Sequence, residues 1–438
     1  MSLAAGAVDA AASKGASAAQ TWQLAMVAGL SVFSALVVAF FGPMLGMRLP
    51  MFPLLILAAG AIAVERAGTR AVEVTSIVGL LLLLSMNRIY AVYHLGVVVA
   101  LYLLRRRGPA MASALVVLAV FLPKYLFSAH HPTPRLYNWI NEPSVALVLL
   151  VTLCWLRDRR DGRLPAGAER AGLLRWSAQF FFPGHAVNPL FFTAGDLFQA
   201  RRLDPRAVVA SATSIAAKAV VHVALLDLFP NATYVGLDSA RVGALSWAGL
   251  WAVVLVGYVN LAIVLSGTAD VAILLARLYG WPLQSPFRWA LLAWTPVELW
   301  RRWGIYNRKV LLKLVYFPLG GRRRRALNVM LTFLASAWVL HSGWFGSKYW
   351  LVGVPGWRDQ AAYFLVQGAL VCVWLAVGER WGPRSDSTQT PELRWSWGRL
   401  AGTAATQGAA ALAHVIVLAQ ALPFGERFAL IGRCLGLA

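Results

Sequence analysis

"RRRRALNVMLTFLASAWVLHSGWFG", residues 322–346, sets four arginines against a long apolar run. From Ala326 to Trp344 its only ionisable side chain is His341. A helix that crosses a lipid bilayer needs roughly 20 apolar residues, with a range of about 17–25. The run has that length, and the guanidiniums hold one end at a membrane face. His341 lies sixteen residues past Arg325, which is roughly 24 Å of helix at about 1.5 Å per residue. In a hydrocarbon layer about 30 Å thick that depth is well inside. An ionisable group there is costly and raises a functional hypothesis by default.

The rest of the chain follows the same pattern. Hydrophobic residues make up 59% of the 438 positions and charged residues only 13%, about half the share of a soluble protein, so a soluble globule is excluded. Further apolar runs cover 24–41, 51–64, 74–86, 89–104, 109–123, 144–156, 207–229, 242–265, 361–377 and 400–422. The pattern predicts an all-α polytopic membrane protein with about ten spans, the shorter runs being tilted, re-entrant or interior. The runs are too long, and lack the two-residue alternation, for a β-barrel.

The formal net charge is +22, and its placement matters more than its size. Arginines cluster at 105–107, 157–175 and 201–206, and the segment 299–325 carries nine Lys or Arg. By contrast 128–143 holds only Arg135, and 345–360 only Lys348 and Arg358. This is the positive-inside asymmetry. It puts the basic segments in the cytoplasm and accounts for the charge without nucleic acid. Cys154, Cys372 and Cys434 are far apart and form no C-x-x-C pair, so neither a zinc site nor a disulfide framework is indicated. The first twenty residues are rich in Ala, Ser and Gly. They are expected to be disordered and do not resemble a cleaved signal peptide.

Four parts follow: a disordered 1–20, N-terminal transmembrane helices at 21–156, a polar-rich core at 157–350, and C-terminal transmembrane helices at 351–438. The core holds nearly every unusual residue. "FFFPGHAVNPLFFTAGDLFQARR" (180–202) has helix breakers at Pro183, Gly184 and Pro189. It reads as irregular backbone, either an interfacial re-entrant turn or the lining of a cavity. "SGTADVAILLARLYGWPL" (266–283) reads as a helix carrying Asp270 and ended by Gly280 and Pro282. Asp270 needs a partner at membrane depth, and both a structural ion pair and a substrate contact fit. In "WTPVELWRRWGIYNRKVLLKLVYFPLGG" (294–321), Thr295-Pro296-Val297-Glu298 has the form of a helix start. Trp300 and Trp303 suit the lipid interface, while Arg301 and Arg302 suit headgroups or an anionic ligand. Surface anchor and ligand site both remain open. Among the other histidines, His94, His222 and His414 lack such polar neighbours in sequence and fit a packing role.

These segments together resemble the membrane-bound O-acyltransferase family, in its bacterial branch that O-acetylates alginate and other exported polysaccharides. "SGTADVAILLARLYG", "ELWRRW", "YFPLGG" and "LNVMLTFLAS" carry the likeness, in order, over roughly 80–350. The resemblance implies a multi-helix fold with re-entrant or interfacial helices around a central tunnel. An acyl-CoA or acyl-carrier donor enters from the cytoplasm, and an acceptor hydroxyl on an exported glycan enters from the other side. His341 takes the position of the family's buried histidine, a general base. Trp300, Arg301, Arg302, Trp303 and Asp270 become substrate-binding candidates. No bound cofactor or metal is implied. An SGNH-type acyltransferase or esterase is an expected partner, with membrane lipid around the chain in a bacterial inner membrane. Two positions depart from the pattern. Gly304 stands where the family carries His, Asn or Asp, and Asn307 one turn on is the candidate to replace it. His341 is one residue later than usual, a rotation of about 100° that a π-bulge would absorb.

Two other function classes fit the same residues. A catalytically silent protein of this fold would act as a component of a polysaccharide export complex, and Gly304 favours it. An ion-coupled transporter would need more intramembrane charge than Asp270, Asp227 and Lys218 supply.

Overall fold

The computed structural model describes residues 2–45, 51–86, 88–105, 144–186, 190–230, 237–337, 356–378, 396–419 and 421–437. All regular structure among them is helical. Without water, a lipid-embedded backbone satisfies its N–H and C=O groups internally, and the helix does this segment by segment. The main helices are α1 (Ser2–Phe41), α2 (Met51–Arg66), α3 (Ala71–Met86), α4 (Arg88–Leu104), α5 (Ser144–Arg160), α6 (Pro205–Leu228), α7 (Trp247–Leu278), α8 (Pro296–Arg302), α9 (Ile305–Leu311), α10 (Arg325–Ala335), α11 (Gly356–Val373), α12 (Trp397–Leu418) and α13 (Phe424–Cys434). The apolar runs fall on these helices, except that 109–123 and the latter part of 326–344 lie outside the described residues.

Six segments among the described residues are long and apolar enough to cross a membrane: Gln20–Phe41, Gly68–Met86, Pro205–Leu228, Trp247–Leu278, Arg358–Gly378 and Trp397–Leu418. This is the build of a membrane protein. Helix α1 starts at Ser2, so the first twenty residues are helical where disorder is expected. Their many alanines, the strongest helix formers, account for this.

Side-chain bonds order the bundle at both ends. At one end the basic segments meet their acids. Arg201 reaches Glu65 at 3.3 Å, Lys309 reaches Asp196 at 2.8 Å and Lys313 reaches Asp158 at 2.5 Å. Arg159 donates to the Arg105 carbonyl at 2.7 Å. At the other end α13 closes the bundle. The indoles of Trp247 and Trp251 both donate to the Cys434 carbonyl at 2.9 Å, and Arg427 pairs with Asp359 at 2.8 Å.

Between these ends α6 and α7 share a line of polar contacts. Arg277 donates to Ser211 at 2.7 Å, Lys218 and Ser214 both bond Asp270 Oδ2 at 2.5 and 2.7 Å, and His222 Nδ1 donates to Asn260 at 2.5 Å. The segment after residue 179 threads between α3 and α7 as irregular chain, with two short helical turns among its described residues, Pro183–Ala186 and Ala194–Leu197. It passes so close to α3 that a Cβ on Gly79 would lie 1.4 Å from the Phe181 carbonyl oxygen. Only glycine fits there.

A cationic cavity between α8 and α11

The core residues after α7 build a cavity. Gly280, at φ 85°, ends α7 as expected, and the chain turns through 283–295 without regular helix apart from one short turn, Ala290–Leu292. Helix α8 then starts as the sequence predicts. Thr295 Oγ1 accepts from the Glu298 N–H at 3.0 Å, and Pro296 fills the first helical position. Gly304, at φ 62° and ψ 53°, makes the left-handed joint into α9. After glycine, Asn and Asp adopt this conformation most readily, so the joint itself explains much of the residue choice there. Helix α9 continues as a π-helical turn, Leu312–Tyr316, and a second joint at Gly320 and Gly321 leads into α10.

A cavity of about 450 Å³ lies between α8, α9, α10 and α11, within the size range of small-molecule sites. Its interior is apolar, with Phe191, Pro286, Phe287, Val329 and Phe333 in the wall. Four arginines also line it: Arg301, Arg308, Arg322 and Arg325. Burial and the like charge of Arg301 lower the pKa of Arg308. Cations crowded in this way favour an anionic ligand.

Four of the residues expected from the sequence line this cavity together: Trp300, Arg301, Trp303 and Asn307. Trp300 donates its indole N–H to Gln367 of α11 at 3.2 Å and meets Phe333 edge-on at 5.0 Å. Trp303 meets Phe287 edge-on at 5.2 Å. Asn307 Nδ2 lies 3.9 Å from where a Cβ on Gly304 would stand, an ordinary van der Waals contact, so its amide sits beside position 304.

Arg302 and Asp270, which the sequence left open between structural and substrate-contact roles, are not among the residues lining this cavity. Arg302 turns back one helical turn to pair with Glu298. Asp270 is buried between α6, α7 and the 283–295 segment, with Ser285 on Oδ1 at 2.7 Å and Lys218 and Ser214 on Oδ2. A carboxylate at that depth takes the nearest ammonium and hydroxyls rather than a ligand. His341 lies outside the described residues.

Sequence reasoning missed the second layer. Tyr258 stacks on Trp303 at 6.3 Å and 9°, and its hydroxyl donates to Gln407 at 2.8 Å. Gln407 in turn donates to the carbonyls of Ala290 and Ala293 at 3.1 and 2.9 Å. His414 lies 6.1 Å from Trp303 and 3.0 Å from the Tyr363 hydroxyl. These partners come from helices far apart in sequence, and only the lone amides in apolar runs signalled them. Among the described residues no group of three or more His, Cys, Asp or Glu is placed to hold a metal ion. No protein-family model and no curated protein matches the chain.

Proposed function

We propose that the protein is a membrane-embedded O-acyltransferase with about ten spans around a central tunnel. It transfers an acyl group, in its simplest form acetyl, from a cytoplasmic donor to a hydroxyl of an exported polysaccharide or lipid-linked glycan in a bacterial inner membrane. The observation that carries the reading is the cavity: one chamber brings four arginines and an apolar wall together, and α10 lines it from Arg325 to Phe333. An acyl-CoA or acyl-carrier thioester has the matching form, with phosphates at one end and an apolar acyl group at the other.

In this reaction the acceptor hydroxyl oxygen attacks the thioester carbonyl and His341 takes its proton. The new C–O bond forms, the C–S bond breaks, and the departing thiolate takes up the proton. A buried imidazole suits the role, because desolvation favours its neutral, basic form. Asn307 supplies a polar side chain in place of the His, Asn or Asp that the family pattern puts at position 304. An SGNH-type partner would act on the product side of the membrane.

The test is the acyl content of the cell-surface glycan, read alongside protein level. His341→Ala should lower acyl transfer by about 10²–10⁴-fold, the size of a general-base contribution, with insertion retained. Normal acylation in His341→Ala refutes the mechanism. Gly304 favours a second reading, a silent component of an export complex. Absent acylation in wild type, with export impaired by deletion, would establish that one.

A further inference from the structure

Asp270 is not in the cavity, yet it is one bond from its wall. Its two carboxylate oxygens serve different parts of the fold. Oδ2 takes Lys218 at 2.5 Å and Ser214 at 2.7 Å, both on α6. Oδ1 takes the Ser285 hydroxyl at 2.7 Å, and Ser285 is followed directly by Pro286 and Phe287, which line the cavity. This wall has little helix to hold it. It depends on fastenings: Tyr306 bonds both the N–H and the carbonyl of Gln284 at 3.2 and 3.0 Å, and Ile305 donates to the Pro286 carbonyl at 3.1 Å. Phe287 then sets Trp303 edge-on across the chamber.

We infer that Asp270 is a positioning residue that fixes the Pro286–Phe287 wall of the cavity through Ser285. Lys218 and Ser214 hold the carboxylate from α6, and its free side reaches the wall. The link transmits the order of the α6–α7 core to the chamber. The inference rests on the acyltransferase reading only where donor kinetics are concerned, since the wall itself can be probed without any reaction.

Two hydroxyls on one carboxylate supply the control. Ser285→Ala and Ser214→Ala each remove one bond of 2.7 Å to Asp270, but only the first leads to the wall. The full-length protein with Phe287→Cys, in detergent, is treated with a small maleimide, and modification at position 287 is read by mass spectrometry. Ser285→Ala should speed labelling about tenfold, the scale of a hydrogen bond to a charged group. Ser214→Ala should leave the rate unchanged, and Ser285→Thr, which keeps the hydroxyl, should restore it. Equal rates in Ser285→Ala and its parent, or equal acceleration by both alanines, overturn the inference. With acetyl-CoA as donor, Ser285→Ala should raise the donor KM several-fold with kcat nearly kept, as expected for lost uniform binding. If the parent shows no transfer, the acyltransferase reading fails, and the labelling contrast still decides the wall.

Discussion

Replacing Lys218 by methionine removes the ammonium that pairs with a carboxylate that is 5% exposed. At 2.5 Å and an effective dielectric of about 20, the Coulomb attraction is about 7 kcal/mol. Removing both ions from water costs several kcal/mol each, so the intact pair is close to neutral for stability. Breaking it is not. Lys218→Met leaves the Asp270 charge buried with two hydroxyls and only the more distant Arg277 charge, at a cost of about 3–5 kcal/mol. Asp270→Asn should cost less, because the Lys218 side chain keeps 25% exposure and its ammonium can reach toward water. The double substitution should return to within about 1 kcal/mol of wild type. A denaturant titration in mixed micelles, run as a double-mutant cycle, measures the coupling. Additive single effects, or a Lys218→Met cost below about 1 kcal/mol, would refute the argument that burial and charge compensation govern this site.

Arg308→Ala with Arg322→Ala should raise the KM for an anionic donor several-fold and flatten its salt dependence. Arg302→Ala should instead lower thermal stability with little effect on KM, because it strands Glu298; KM across a salt series, beside melting curves, separates the two. His185 lies in the Pro183–Ala186 turn, where burial lowers its pKa from 6.5 to about 4 against the raising effect of two backbone carbonyls. The unfolded chain then binds the extra proton between those values, so native stability should fall as pH drops from 6.5 toward 4. His185→Phe should remove that part of the slope in denaturant titrations taken across the range.

The helices were legible because lipid-crossing segments need length and apolarity, and both are written locally. Local chemistry also gave the α8 start at Thr295 and the α7 stop at Gly280. The Arg and Trp residues of 300–303 were legible as a group, but not the side each one faces. Arg301 and Arg302 are adjacent in sequence and some 100° apart around a helix, so one lines the cavity and the other pairs with Glu298. Asp270 was legible as a buried acid, while its partners Lys218 and Ser285 lie 52 residues before and 15 after it. The layer behind Trp303 was legible only as a lone amide and a packing histidine in apolar runs. Tyr258, Gln407 and His414 are ordinary members of apolar helices until the bundle brings them together.

The acids at the basic end of the bundle also set a timetable for biosynthesis. Lys313 follows Asp158 by 155 residues and Lys309 follows Asp196 by 113. At roughly 5–20 residues per second of synthesis, Asp158 emerges roughly 8–30 s before the ammonium that neutralises it. During that interval the early helices carry carboxylates without their final counterions, and the segment bearing α9 locks them when it arrives. A chain stopped before residue 309 therefore lacks both ammonium partners of Asp158 and Asp196.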